Sequence, residues 1–492
     1  MAQLDIARPE HPEELSVITW AHAYTFPLKA LTWGTLAIAA VMGALYFVVG
    51  FPPAFDTFAG SMYFHAVGIG LAALASYLVI DAFELQRYEP PMDFPIAYRA
   101  FIGVVFAALG GLLLLNPTVW NDLPDLGMVC FTVGFVLIGD VGGALFIELL
   151  LLPRKKANLY CCESHNAIEY CSRILPLRAV DRVPYRSVGV GYWLTLAAIG
   201  SAFIAGVIGF VNLWVRALGP SIFGGYMGWL NLDTGGFLDA TKDPHTHMMA
   251  LAIMAGIVAV AAVRFGVLES AAVLQRRLAQ AGLWIATLGV VAMTLVLLAV
   301  AFLNFAPPTL FANGPQGING IAGDDASMSV IGLGAMVVLV AMLAERRIWR
   351  DPLRLMVLGT WAAAVVVNIV QGFYIELHEL QFQGTQAAND AAYGIAQPMT
   401  GIFLLIALSL VLLLVDHYEI AGSMRRLVTW TAGIGLLAAL AGVTLWTFVD
   451  PSRSGISFGL YVAGTTVSYA AILVGAWAIR AARVGAFRRD YP

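Results

Sequence analysis

About twelve apolar segments, each near the ~20 residues a helix needs to cross a bilayer, follow one another along the 492-residue chain. They centre on residues 30–50, 59–82, 99–115, 127–152, 189–214, 247–268, 280–304, 328–345, 355–375, 396–415, 428–448 and 457–480. The basic residues sort among the connections. Of the 27 Lys and Arg, all but Arg216, Lys242 and Arg453 fall in alternate connections or at the termini. The positive-inside rule makes those connections, and with them both termini, cytoplasmic. Only 12% of the residues are charged, against roughly 25% in soluble domains. A net charge of -4 offers nucleic acid nothing to bind. The fold class these features predict is an all-α integral membrane protein of about twelve transmembrane helices, multi-pass in the cell (plasma) membrane, with the lipid bilayer as solvent.

The predicted organisation is a cytoplasmic segment 1–27, a polytopic domain 28–482 and a cytoplasmic tail 483–492. Residues 1–27 are polar and acidic (Asp5, Glu10, Glu13, Glu14) and lack the basic and apolar regions of a signal peptide. The long connections are an inner loop 153–187 and outer loops 217–246, 306–326 and 377–394. A weak repeat runs through the chain. The second span begins Phe64-His65-Ala66-Val67-Gly68 and the sixth Thr246-His247-Met248-Met249-Ala250, four spans apart. This suggests a pseudo-threefold arrangement of four-helix units.

Four of the eight histidines, His65, His245, His247 and His378, fall at one membrane surface. An imidazole in a helix bundle is costly unless hydrogen-bonded or ligated, so intramembrane histidines are functional candidates. His245 and His247 are two residues apart, about 200° around a helix, and address opposite sides of it. They suit two different centres better than one shared ion. His245 and His378 are candidate metal ligands. His65 lies roughly 10 Å below the outer end of its helix at 1.5 Å per residue.

The span count, the inner termini, a histidine near the outer end of the second span and a His-Thr-His opening another outside-to-inside span resemble the catalytic subunit of haem–copper oxidases and nitric oxide reductases. In that family the His-x-His stands on the tenth helix; here it stands on the sixth, and Ala391, Ala392 and Tyr393 precede the tenth. The resemblance implies that His65 and His247 ligate a low-spin haem b. It implies that His245 faces a second, catalytic centre, where a second haem, copper or iron would sit. Electrons would come from a quinol or an extracytoplasmic electron-carrier protein, with an additional redox subunit as a further partner.

Three other groups stand out. Asp140, in a Gly-rich stretch of the fourth span, and Glu148, eight residues on along the same helix face, are candidates for a proton path. Asp140 also suits the alternative function, a proton- or cation-coupled secondary transporter with a mid-membrane site. Cys161, Cys162, His165 and Cys171 cluster in the longest inner loop, with a spacing unusual for zinc. Asp233, Asp239, Asp243, Asp324, Asp325, Glu376, Glu379 and Asp390 make the outer loops acidic, a field that attracts cations or a basic carrier.

Overall fold

The computed structural model describes residues 28–45, 58–83, 85, 96–115, 124–162, 185–218, 234–303, 323–378, 381–382, 384–394, 397, 399–452 and 454–481. Among them, eleven helices are long and apolar enough to cross a membrane, and a shorter apolar helix covers Ser327–Leu343. The chain is an all-α multi-pass membrane protein. In chain order the helices are α1 (Leu28–Leu45), α2 (Phe58–Ala82), α3 (Ile96–Leu115), α4 (Pro124–Cys162), α5 (Tyr185–Leu218) and α6 (Thr234–Arg264). They continue with α7 (Val273–Leu303), α8 (Gly323–Leu343), α9 (from Pro352 to Leu377), α10 (from Met399 to His417), α11 (Gly422–Phe448) and α12 (Ile456–Ala481). α9 is interrupted by a π-turn at Val366–Gln371, and α10 opens with one at Met399–Leu404.

Burial sorts the helices. The spans of α2, α6 and α10 are 78%, 61% and 94% buried, and the other spans lie between 28% and 56%. Each of these three helices touches the other two, with the Phe64 and Phe403 rings 5.5 Å apart where α2 meets α10. They form the centre. The hairpins α3–α4, α7–α8 and α11–α12 pack as close pairs around them.

Each hairpin uses glycine to bring its helices together, since lipid offers no hydrophobic drive and close van der Waals packing must hold the pair. On α3 and α4 a Cβ at Gly110 would land on the backbone of Phe131, and one at Gly134 on that of Ala107. On α7 and α8 the pairs are Gly289 with Ile331 and Gly282 with Gly334, and on α11 and α12 Gly442 with Tyr461 and Gly435 with Ser468. On α7 (Gly282, Gly289) and α11 (Gly435, Gly442) the glycines recur at seven residues, two turns of helix, which keeps them on one face. These hairpins are the third and fourth helices of each successive set of four along the chain. Gly442→Val is expected to cost about 1–3 kcal/mol through overpacking, read as a lower unfolding temperature in detergent. Gly459→Ala, where a Cβ meets nothing within 4 Å, is the control and should leave that temperature unchanged or slightly raised.

The helices overrun the expected connections. α6 begins at Thr234 and runs through Pro244, so much of the outer loop 217–246 is helical and His245 lies several turns inside. Proline and a polar stretch hide this, because window hydropathy sees only the apolar part. The backbone of α4 continues to Cys162, into the inner loop 153–187, and the 377–394 loop holds a helical turn at Gln386–Asn389 and a π-turn at Asp390–Gly394. The segment 1–27, the tail 483–492, most of 306–326, His165 and Cys171 lie outside the described residues.

Candidate functional site

The site is built by α2, α5 and α6 at the end of the bundle opposite Arg264. α5 and α6 pack antiparallel, with Gly191 against Val263 toward one end. Toward the other end the Thr241 hydroxyl donates to Asn212 Oδ1 at 2.7 Å. Between these contacts α5 presents Ala205 and Gly209, one turn apart. A Cβ at Gly209 would collide with the ring of His245, so this glycine is the space in which the imidazole lies. The Ala205 carbonyl, 2.6 Å from His245 Nδ1, holds the ring there. A carbonyl only accepts, so Nδ1 carries the proton, and the neutral ring keeps its lone pair on Nε2. The chemical consequence is an imidazole fixed in orientation and tautomer, with the other nitrogen basic.

The ring stacked against it is that of His65. The two centroids are 5.7 Å apart and the planes only 8° from parallel. The edge of Phe131 closes the other side of His65 at 6.3 Å, and Phe135 and Phe210 continue the aromatic wall, with centroids 5.8 Å apart.

His65 and His245 thus meet. The resemblance implied that His65 would pair with His247, but the ring set beside His65 is that of His245. On a helix the two members of His-x-His diverge, and the rotation of α6 decides which one faces α2. His247 lies elsewhere on the helix surface, and its buried Nδ1 has no hydrogen-bond partner. His378 belongs to another cluster at the end of α9. It stacks on Tyr374 at 4.2 Å, and its Nδ1 donates to the Tyr374 carbonyl at 2.9 Å. Among the described residues no three His, Cys, Asp or Glu side chains converge as a metal site.

Asp140 is neither central nor alone. Arg99, in the first turn of α3, reaches its carboxylate at 2.5 Å, and the Asp140 side chain is 47% exposed on the perimeter. It shares a stripe with exposed Val129, Val133 and Val136. Its position in the fourth apolar segment predicts a place near mid-membrane, but Asp140 pairs with Arg99 and α3 begins only at Ile96, so Asp140 lies level with the end of a span. A path from Asp140 through the bundle interior gains no support from this placement. Glu148 is half-buried further along α4. Asp390, counted above among the acidic outer residues, is 6% exposed and accepts from the Gln386 amide at 2.8 Å.

The sequence reading missed a charge cluster at the arginine-bearing end. Asp416, at the end of α10, is 3% exposed and meets Arg264 at 3.1 Å, Arg425 at 3.0 Å and Arg354 at 3.3 Å. Asp351, which caps α9 by accepting from Leu353 N–H, shares Arg425 at 2.5 Å. Arg264 also donates to the Asp416 carbonyl at 2.7 Å and bonds His417 Nδ1 at 2.9 Å. One buried carboxylate ties the ends of α6, α9, α10 and α11 together. The signal for it was a lone Asp closing the most apolar of the central spans, with an arginine beside each neighbouring span.

Compared with known proteins, the chain matches no family model, no curated protein and no solved structure.

Proposed function

We propose that this chain is a haem-binding membrane oxidoreductase that transfers electrons near the membrane face opposite its arginine-bearing end, with that end in the cytoplasm of the cell. One observation carries the reading: the His65–His245 pair, in which His245 is oriented through Nδ1 by the Ala205 carbonyl. Ligating histidines commonly use their second ring nitrogen in this way, to fix tautomer and raise basicity.

The donor set fits a haem. A free metal ion of the zinc type calls for three or four protein ligands, and this pair supplies two. A haem iron, already held by its porphyrin, would need only one or two donors from the protein. His65 and His245 would hold the group, with Phe131, Phe135 and Phe210 as an apolar wall that excludes water. Bound there, a haem supplies one-electron chemistry. With its proton on Nδ1 against the Ala205 carbonyl, His245 would offer Nε2 as its donor nitrogen.

The test is a pyridine haemochrome spectrum of the purified protein with metal analysis. A Soret band and a reducible alpha band, with about one or more haems per chain, are expected. A colourless preparation from cells supplied with haem would sink the proposal.

A further inference from the structure

The arginines at the ends of α6 to α11 divide into two groups. Arg264, Arg354 and Arg425 meet Asp416. Arg346, Arg347, Arg350 and Arg426 are exposed, and among the described residues none of them makes an ion pair. The connection that carries the first three of these is not a free loop. Between α8 and α9 a helical turn covers Arg346–Trp349 and sets Ile348, fully buried, into the core. Gln275 on α7 donates to the Ala341 carbonyl at 2.9 Å and to Glu345 Oε2 at 3.4 Å, and Asp351 meets Arg425 on α11. The turn is therefore fastened at one end to α7 and at the other to α11. The second fastening brings the segment that carries Arg350 next to the turn of α11 that carries Arg426. The neighbouring carboxylates are engaged, Glu345 by Gln275, Asp351 by Arg354 and Arg425, and Asp416 by its three arginines. Glu419 is the exposed carboxylate that stands against these four exposed guanidinium groups.

Aromatic rings lie where the charges meet lipid. Trp349 is exposed, and its indole N–H donates to the carbonyl of Leu343, the last residue of α8, at 2.5 Å. On α11 exposed Trp430, Ile434 and Leu437 follow Arg426 at steps of four, four and three residues, one face of a helix. Tryptophan gathers at the membrane–water interface, which puts Arg426, one turn beyond Trp430, at headgroup level. Charge, indole and hydrocarbon follow one another along this face in the order of phosphate, glycerol and acyl chain in a phospholipid.

We propose that the Arg346–Arg350 connection and the first turn of α11 form a binding site for an anionic phospholipid. Its phosphate is held by Arg350 and Arg426, with Arg346 and Arg347 beside it, and its acyl chain lies along Trp430, Ile434 and Leu437. Guanidinium groups pair with phosphate through parallel N–H bonds, and basic clusters between helix ends at this depth suit such headgroups. The site is independent of the haem reading. Charge sorting by itself predicts a small and equal contribution from every arginine at this end, whereas a site fastened to α7 and α11 predicts that these arginines dominate.

The experiment is native mass spectrometry of the full-length protein in detergent, titrated with short-chain phosphatidylglycerol or with phosphatidylcholine of equal chain length. Unfolding temperature is recorded for every variant, so that a lost site is separated from a lost fold. The native protein is expected to bind phosphatidylglycerol about tenfold more tightly than phosphatidylcholine, as two arginines at the phosphate allow. Arg350→Gln and Arg426→Gln should each weaken phosphatidylglycerol binding about fivefold, the gain expected per arginine near an anionic surface, and together they should remove the preference. Arg488→Gln with Arg489→Gln takes the same charge from the tail and should leave binding within about twofold of native. Equal losses from the patch and tail variants, or a preference that survives the double patch variant, overturns the site. Inorganic phosphate at millimolar concentration should leave the lipid bound; its displacement would mark a site for soluble anions and overturn the assignment to lipid.

Discussion

Asp416→Ala is expected to be the most damaging single substitution in the described bundle. It removes the one carboxylate that Arg264, Arg354 and Arg425 all reach. Breaking a buried ion pair from one side typically costs about 3–5 kcal/mol, because the partner charge is left uncompensated. Here three guanidinium groups lose a partner together; among the ion pairs of the described residues, Asp351 still meets Arg354 and Arg425 but not Arg264. The arginines are about a quarter exposed, so water and headgroups recover part of the loss for each of them. Asp416→Asn, which keeps an acceptor oxygen and loses the charge, should fall between native and alanine. Thermal unfolding in mild detergent gives the order native, Asn, Ala. If alanine were as stable as native, the four helix ends would be held by packing alone.

The second large effect concerns the imidazole pair. His245→Ala removes the ring held by Ala205 and set parallel to His65. On the haem reading it should reduce bound haem to less than a tenth of native, the loss of one axial ligand being decisive for a low-spin centre. Free imidazole at millimolar concentration should restore part of the spectrum, because the cradle beside Gly209 is left intact. Gly209→Val should abolish the spectrum by another route. Its side chain would occupy the place of the His245 ring, breaking the bond to Ala205, and imidazole should give no rescue. A His245→Ala protein with an unchanged spectrum would move any haem away from this pair. Unfolding temperatures of both variants separate a lost ligand from a lost fold.

Much of the fold was legible in residue order. A bilayer sets a length for every crossing helix, and a 20-residue window of hydropathy measures that length directly. Charge sorting likewise depends on local loop composition. The ends of α6 and α4 were less legible, since their polar turns carry no hydropathy signal. Of the candidate site, the chain showed that His65, His245 and His247 share one membrane surface. It did not show which of them meet. His65 and His245 are separated by most of the first unit and the start of the second, and their encounter depends on how far α6 is rotated. The same holds for Asp140, whose neighbours read as a mid-membrane helix and whose side chain lies on the perimeter beside Arg99.

The sequence by itself determined a ladder of crossing helices, their alternation and the end at which the arginines gather, because each of these follows from local length, hydropathy and charge. Only the tertiary structure decided that α2, α6 and α10 form the centre, that Gly209 makes room for His245 beside His65, and that Asp416 gathers three arginines. Those facts depend on helix rotation and on contacts between residues as far apart as Arg264 and Asp416, 152 positions along the chain, and no local stretch of sequence encodes them.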